Sequence, residues 1–232
     1  MGLAPILPYV HRVLSPLFPG CLWQGNSERK EIALTFDDGP HPEYTLQLLE
    51  VLADYQVTAS FFWLGICVER APQVAQAVYE QGHWLGLHGY THQSFPKMKG
   101  EQLLHDLRRA KDAIASTCNI NPVTLRDVRP PNGVFTPATL SQLKGEGYRP
   151  VMWSIVPVDW VCPGTDVVAQ RVIQQTQNGS IIVLHDGLCG GQDVAQSSRQ
   201  LLPQLLSQGY RFVSIDHLWN QARSHKKPLT LS

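Results

Sequence analysis

The chain has 232 residues, and nineteen Lys and Arg balance nineteen Asp and Glu with no run of either sign. That length suits one large domain, and the balance excludes the basic footprint of a nucleic-acid binder and a polybasic membrane segment. Five widely spaced cysteines with no CxxC exclude a disulfide framework and a cysteine zinc site, and they fit a reducing compartment.

The opening stretch, MGLAPILPYVHRVLSPLFPGCLW, is apolar but lacks a basic start. Pro5, Pro8, Pro16 and Pro19 break it, and His11 and Arg12 sit in its middle. It predicts neither a cleavable signal nor a transmembrane span. Ile6, Val10, Val13, Leu14 and Leu17 keep helical spacing, so residues 1–30 read as an N-terminal extension whose short helix packs on the domain. A weak membrane-surface contact through that helix is the sharper reading. The expected location is cytoplasmic, with membrane association as its variant.

From residue 31 onward a pattern repeats. Residues 32–36 are short and apolar, and 45–55 have helical spacing. Residues 58–64 are β-branched and aromatic, followed by a helix over 72–81 with Pro at its start. A strand over 84–88 precedes a long helix over 100–118, and a strand over 124–129 precedes a helix over 137–147. Strands over 149–155 and 180–185 lead into helices over 165–178 and 194–208, and a last strand over 210–214 leads into a short helix. Strand-then-helix units in this number predict a parallel sheet with crossover helices, in a single α/β domain over 31–220. A closed or nearly closed barrel fits this length. No GxGxxG or Walker pattern follows the first strand, so a nucleotide fold has no support. Residues 221–232 read as a polar tail.

In parallel α/β folds the chemistry collects at the C-terminal ends of the strands. Those ends carry Asp37-Asp38, then His88 and His92 in HGYTH, Arg129 in RPPNG, Asp159 and Trp160 in VPVDW, and His185-Asp186 in LHDG. Two adjacent carboxylates at the end of a buried strand repel each other, so they need a metal, a cation or a proton. The HxxxH pair is weak evidence alone. Joined by a strand-end carboxylate, it becomes a two-histidine, one-carboxylate metal site with positions open for water and substrate. The same ligand set serves non-heme iron oxygenases, which typically use an antiparallel scaffold that this alternation does not suggest. His41, His83, His105, His217 and His225 lack such partners and read as surface or structural residues.

TFDDGP (35–40), HGYTH (88–92), RPPNG (129–133), VPVDW (156–160) and LHD (184–186) together resemble, in order and spacing, the five motifs of the polysaccharide deacetylase, or NodB-homology, family. The resemblance implies a distorted (β/α)7 barrel and a metal-dependent hydrolase that removes the N-acetyl group from an amino sugar of a polysaccharide or oligosaccharide. It puts Asp38, His88 and His92 at the metal-ligand positions, Asp37 at the general base and His185 at the general acid. Arg129 matches the arginine paired with the base, and Asp159 the aspartate that tunes the acid. Trp160 and Leu184 match walls of the acetyl-methyl pocket, and the backbone N–H of Asn132 matches an oxyanion donor. One divalent ion is implied. Zinc is the default for this N/O set, and cobalt, nickel and iron suit the same ligands.

Three positions depart from the family pattern. Gly89 stands where a Ser or Thr is common, Asn132 where an aromatic is frequent, and Val156 where an earlier Asp occurs. None removes a catalytic group, but all bear on the substrate. Two rivals follow: an amidase or deformylase acting on another small or lipid-linked substrate, and an inactive carbohydrate-binding relative. A chelator separates the hydrolase from the pseudoenzyme, because sugar binding by the latter need not require the ion.

Overall fold

The computed structural model describes residues 7–224; Ile6, His225 and the rest of the tail beyond 224 lie outside the described residues. In chain order the elements are α1 Leu7–Leu17, β1 Glu31–Asp37, α2 Tyr44–Asp54, β2 Ser60–Trp63, α3 Gly65–Arg70, α4 Pro72–Glu80, β3 Trp84–Leu87 and α5 Glu101–Cys118. There follow β4 Asp127–Val128, α6 Pro137–Gly145, β5 Arg149–Pro150, α7 Thr165–Gln175, β6 Ile181–His185, α8 Gly191–Ser207, β7 Arg211–Phe212 and α9 Ile215–Ser224.

The strands are parallel in the order β5-β4-β3-β2-β1-β6. β1 is buried along its whole length, and successive residues face opposite sides of the curled sheet. Leu34 and Phe36 face the helices, in one cluster with Phe61, Trp63, Leu87, Ile182 and Leu184 from the other strands. Burying each such large apolar side chain is worth roughly 1.5–3 kcal/mol, and this layer holds the helices on the sheet. The alternate residues face inward. Ala33 joins Phe62, Val151 and Ile181 in one interior cluster, while Met152, Trp153, Val156 and Val183 form a second one.

The sheet is a half-barrel rather than a closed ring. β7 pairs β1 at Glu31–Arg211 and Ile32–Phe212, beside the start of β6's ladder on the same strand, so it does not bridge the two ends of the sheet. Between those ends, β5 and β6, isolated bridges stand in for a ladder: Ile155 pairs Ile182, and Leu22 pairs Val151. Pro150 has no N–H to donate, which helps to keep β5 to two residues where the sequence predicts seven. The N-terminal extension fills the gap: Leu22 N–H donates to Pro150 O at 2.9 Å, and Met152 N–H donates to Leu22 O at 2.8 Å. Leu14 and Phe18 pack on the second interior cluster, with Phe18 edge-on to Phe135 at 5.0 Å, while Val13 and Leu17 point outward. No helix among the described residues is long and apolar enough to cross a membrane.

Two further differences from the sequence reading have local causes. α3, which no periodicity announced, is a six-residue turn of helix seated under the HGYTH loop, where Gly65 and Ile66 donate to the carbonyls of Gly89 and Tyr90 at 3.1 Å each. α8 starts at Gly191 rather than 194, after Gly190, which takes a φ of +94° and where a Cβ would lie 3.1 Å from Asp159 Oδ2.

Candidate active site

The inward parity of β1 places Asp37 at the open end of the half-barrel, in register with Phe62 on β2 and His185 on β6. Asp37 is 2% exposed and bonds to the fully buried Arg129, whose Nη1 reaches Oδ1 at 2.6 Å. Arg129 is fixed from three sides, since Nη1 also donates to Thr35 Oγ1 at 2.8 Å and Nη2 to Met152 O at 3.1 Å. Only one oxygen of Asp37 meets the guanidinium. Oδ2 lies 3.9 Å from His88 Nε2, on the side of the metal-ligand candidates. The repulsion expected of two adjacent aspartates is offset at Asp37 by an arginine, whereas Asp38 faces two imidazoles that, as neutral rings, leave its charge for a cation to meet.

Asp38 takes a left-handed φ of 75°, which turns its side chain away from Asp37 toward His88 and His92. Its Oδ1 lies 3.4 Å from His88 Nε2 and 3.3 Å from His92 Nε2. One ligand atom from each of the three residues falls within 4.8 Å of the others. His88 Nδ1 lies 2.8 Å from Arg129 O, and because a carbonyl only accepts, Nδ1 carries the proton and Nε2 presents a lone pair. Asp38 Oδ1 is buried with no hydrogen-bond partner. Burial opposes charge on Asp38, yet without a metal the protonated forms of His88, then His185 and His92, hold its carboxyl well below the usual carboxylate range, a place that a cation takes once the imidazoles are neutral. Burial and the neighbouring His88 push His92 down, toward the neutral form that a metal requires. An anionic oxygen and imidazole lone pairs converging without a proton donor fit a divalent cation.

On the other side of Asp37, His185 Nδ1 bonds to Asp159 Oδ1 at 2.9 Å, and the other Asp159 oxygen accepts the His185 backbone N–H at 2.8 Å. Burial disfavours the imidazolium, but the Asp159 carboxylate outweighs it, with Asp38 and Asp37 adding, so His185 is pushed up to about 9. Trp160 stands edge-on to the His185 ring at 5.1 Å. Asn132 is exposed at a left-handed φ of 57°. The amides of Gly133 and Val134 close its turn on Pro130 and Pro131 at 2.9 and 3.2 Å, and the Asn132 amide takes no part in these bonds.

Leu184 is a correction. It packs in the cluster between sheet and helices with Phe36, whereas Val183 lies in the interior cluster that Trp160 joins. Neighbours on a strand face opposite sides, so Val183, not Leu184, shares the inner face with His185. That parity was available in the sequence, because positions 183 and 185 share a face. Sequence reasoning also missed Thr35, which orients Arg129.

The structure accounts for two of the three departures. Gly89 sits at a φ of +87°, a region that costs a residue with a side chain, and Asp106 Oδ2 lies 3.0 Å from where its Cβ would be. The same Asp106 oxygen accepts the Tyr90 N–H at 2.7 Å, and Tyr90 is held by Glu69 at 2.7 Å and by Arg109 over its ring at 3.7 Å. The HGYTH loop is therefore braced from α5 rather than by a hydroxyl at 89. Val156 is buried in the second interior cluster, a packing role that an Asp would not fill. Among the remaining histidines, buried His83 accepts the Ala59 N–H at 3.2 Å and is pushed down to about 4 by burial. His41 accepts two amides at the start of α2, His217 pairs with Glu31, and His105 is exposed.

A family model described as polysaccharide deacetylase matches residues 24–151. The peptidoglycan-N-acetylglucosamine deacetylase of Bacillus cereus is 34% identical over 198 residues, covering 84% of this chain and 91% of the relative. The chitooligosaccharide deacetylase of Rhizobium leguminosarum bv. trifolii is 34% identical over 203 residues, covering 83% and 93%. Among solved structures, Bacillus subtilis PdaA, a family 4 carbohydrate esterase, superposes with a TM-score of 0.81 at 30% identity over 91% of this chain and 89% of its own.

Proposed function

The chain belongs to the polysaccharide deacetylase family, and on that premise we propose that it is a metal-dependent carbohydrate N-deacetylase, hydrolysing the acetamide of an N-acetylated amino sugar in a polysaccharide or oligosaccharide. The observation that carries this reading is the flanking of one three-residue ligand set by two differently prepared pairs. Asp37 is bound to Arg129 through one oxygen, and His185 is bound to Asp159 through one nitrogen.

Asp38, His88 and His92 would hold a single divalent ion, with zinc the first candidate. A bound ion of this kind supplies Lewis-acid polarisation of the amide carbonyl and acidifies water. The chain's own groups then divide the proton traffic. Asp37 Oδ2, left open by Arg129, accepts a proton from the attacking water as general base. The Asn132 amide offers an N–H to the developing oxyanion, which is typically one of the larger catalytic contributions. His185, kept as imidazolium by Asp159, delivers a proton from Nε2 to the departing nitrogen, which leaves poorly as an anion. Trp160 and Val183, on the same side as His185, would line the place of the acetyl methyl.

The test is acetate release from chitotetraose and from peptidoglycan, before and after removal of divalent ions by a chelator and re-addition of zinc, cobalt or nickel. Metal-dependent acetate release is the expected result. Release of formate instead, from an N-formylated sugar, would move the assignment to the deformylase alternative. Sugar binding that survives the chelator without any acid release would leave a binding protein.

A further inference from the structure

Asp186 follows the acid histidine, is fully buried, and has no part in the chemistry proposed above. Its backbone N–H donates to Asp37 O at 3.0 Å, continuing the β1–β6 ladder into the DDGP turn. Its carboxylate then reaches across that turn. Oδ1 accepts the Gly39 N–H at 3.2 Å, and Oδ2 accepts the Thr45 hydroxyl at 2.7 Å. Thr45 is free to donate because its own oxygen accepts the His41 N–H at 2.8 Å. A Cβ on Gly39 would lie 2.2–2.5 Å from the carboxylate atoms. The acid therefore occupies the volume in which any other residue at 39 would put its side chain.

This arrangement is costly. Burial, with Asp38 and Asp37 beside it, pushes the carboxyl up to about 7, and the bonds from Thr45 and Gly39 only partly offset that. No cation among the described residues compensates it, and burying a charge without one is unfavourable. The bonds gained go to the residue after Asp38 and to the second residue of α2, so both ends of the turn are tied to β6. Between those ties Asp38 holds a left-handed backbone, which is sparsely populated by residues with a side chain and persists only where the surroundings over-determine it.

We propose that Asp186 is a positioning residue for the metal site: its carboxylate clamps the Gly39 amide and the Thr45 hydroxyl, and so fixes the backbone that aims Asp38 at His88 and His92. The clamp explains Gly39 as well, since the clamping acid leaves no room there for a Cβ. The inference rests on Asp38 being a ligand, as assigned above.

The experiment is titration of metal-free protein with Zn²⁺ against a competing chelator, alongside thermal melting, for the wild type, Asp186→Asn, Asp186→Ala, Thr45→Val and Thr45→Ser. Outer partners of metal ligands typically carry 10–100-fold in affinity. A weakening of about that size is expected for Asp186→Ala and a smaller one for Thr45→Val. Thr45→Ser, which keeps the donor, should restore wild-type affinity, and Asp186→Asn, which keeps one acceptor, should fall between. If Asp186→Ala does not fold, the Thr45→Val and Thr45→Ser pair decides. Lower melting temperatures with unchanged Zn²⁺ affinity in Asp186→Ala and Thr45→Val would overturn the proposal and leave Asp186 a stabilising residue. Zn²⁺ bound equally well by wild type and by His88→Ala would instead withdraw the ligand assignment itself, and the positioning role with it.

Discussion

The interior of the half-barrel holds two buried aspartate–arginine pairs, one at each end. At the end where the strands begin, Arg149 grips Asp127 with Nε on Oδ1 and Nη2 on Oδ2, both at 2.6 Å, and Trp84 Nε1 adds a third donor to Oδ2 at 2.7 Å. Asp216 at 2.9 Å and the Trp219 ring cover the guanidinium. At the end where the strands finish, Arg129 gives Asp37 one bond and spends its others on Thr35 and Met152. The two pairs are alike in chemistry and nearly alike in burial. What differs is saturation: both oxygens of Asp127 accept hydrogen bonds, whereas Asp37 Oδ2 faces His88 Nε2 at 3.9 Å with no donor from Arg129. A saturated pair can only hold structure, and an unsaturated one has a lone pair left to take a proton. The contrast teaches that burial and ion pairing alone do not mark a candidate general base; a carboxylate oxygen left without a donor does.

The largest effect that sharpens this contrast is in turnover. Asp37→Asn should keep its place near Arg129 and lose roughly 10²–10⁴-fold in kcat, the usual scale for a general base. Zinc content and melting temperature should change little. A variant that lost its zinc along with its activity would show that Asp37 is a ligand rather than the base.

Asp127→Asn should do the opposite. Removing one partner of a buried pair costs about 3–5 kcal/mol, which for a domain of this size lowers the melting temperature by roughly 6–20 °C. The remaining Asp216 contact places the expected loss toward the lower end. Activity per folded molecule at low temperature should stay near that of the wild type, as calorimetry paired with assays at 15 °C would show. A loss of turnover comparable to that of Asp37→Asn, without destabilisation, would break the comparison.

The smallest effect concerns the other pair at the catalytic end. His185 must be protonated to donate, so activity falls as pH rises through its pKa, here pushed up to about 9 by Asp159 with Asp38 and Asp37 assisting. A divalent ion at Asp38 acts in the opposite sense, so the alkaline limb of kcat/KM lies at or below about pH 9. In Asp159→Asn the largest favourable charge is gone and burial prevails, so that limb should move to lower pH. Coupling between the groups makes the shift a property of the site as a whole. His185→Ala should abolish the limb, and an alkaline limb unchanged in both variants would mean that another group sets it.

Much of the catalytic end was legible because its residues lie where strands finish, next to turn-formers that the sequence displays: Asp37-Asp38 before Gly39-Pro40, Arg129 before Pro130-Pro131, His185 before Asp186-Gly187. The identity of the groups and the parity of a strand are one-dimensional facts. Strand parity from His185 passes through Val183 and leaves Leu184 on the helix side. The closed pair at the other end left no such trace. Asp127 and Arg149 stand in short segments that periodicity reads poorly, and nothing near them marks that they meet.

The sequence by itself determined the alternation of strands and helices, the five groups of reactive side chains and their order along one rim, because local propensity and hydrophobic period are written residue by residue. Only the tertiary structure decided that the sheet stops short of closure and that the N-terminal segment at Leu22 fills the opening. It alone decided that Asp37 meets an arginine from 92 positions away while Asp38 turns toward two histidines. Those outcomes depend on which partners the fold brings within reach of a buried charge and on how many bonds each can make. That is a matter of distances between strands, which no single segment of the chain contains.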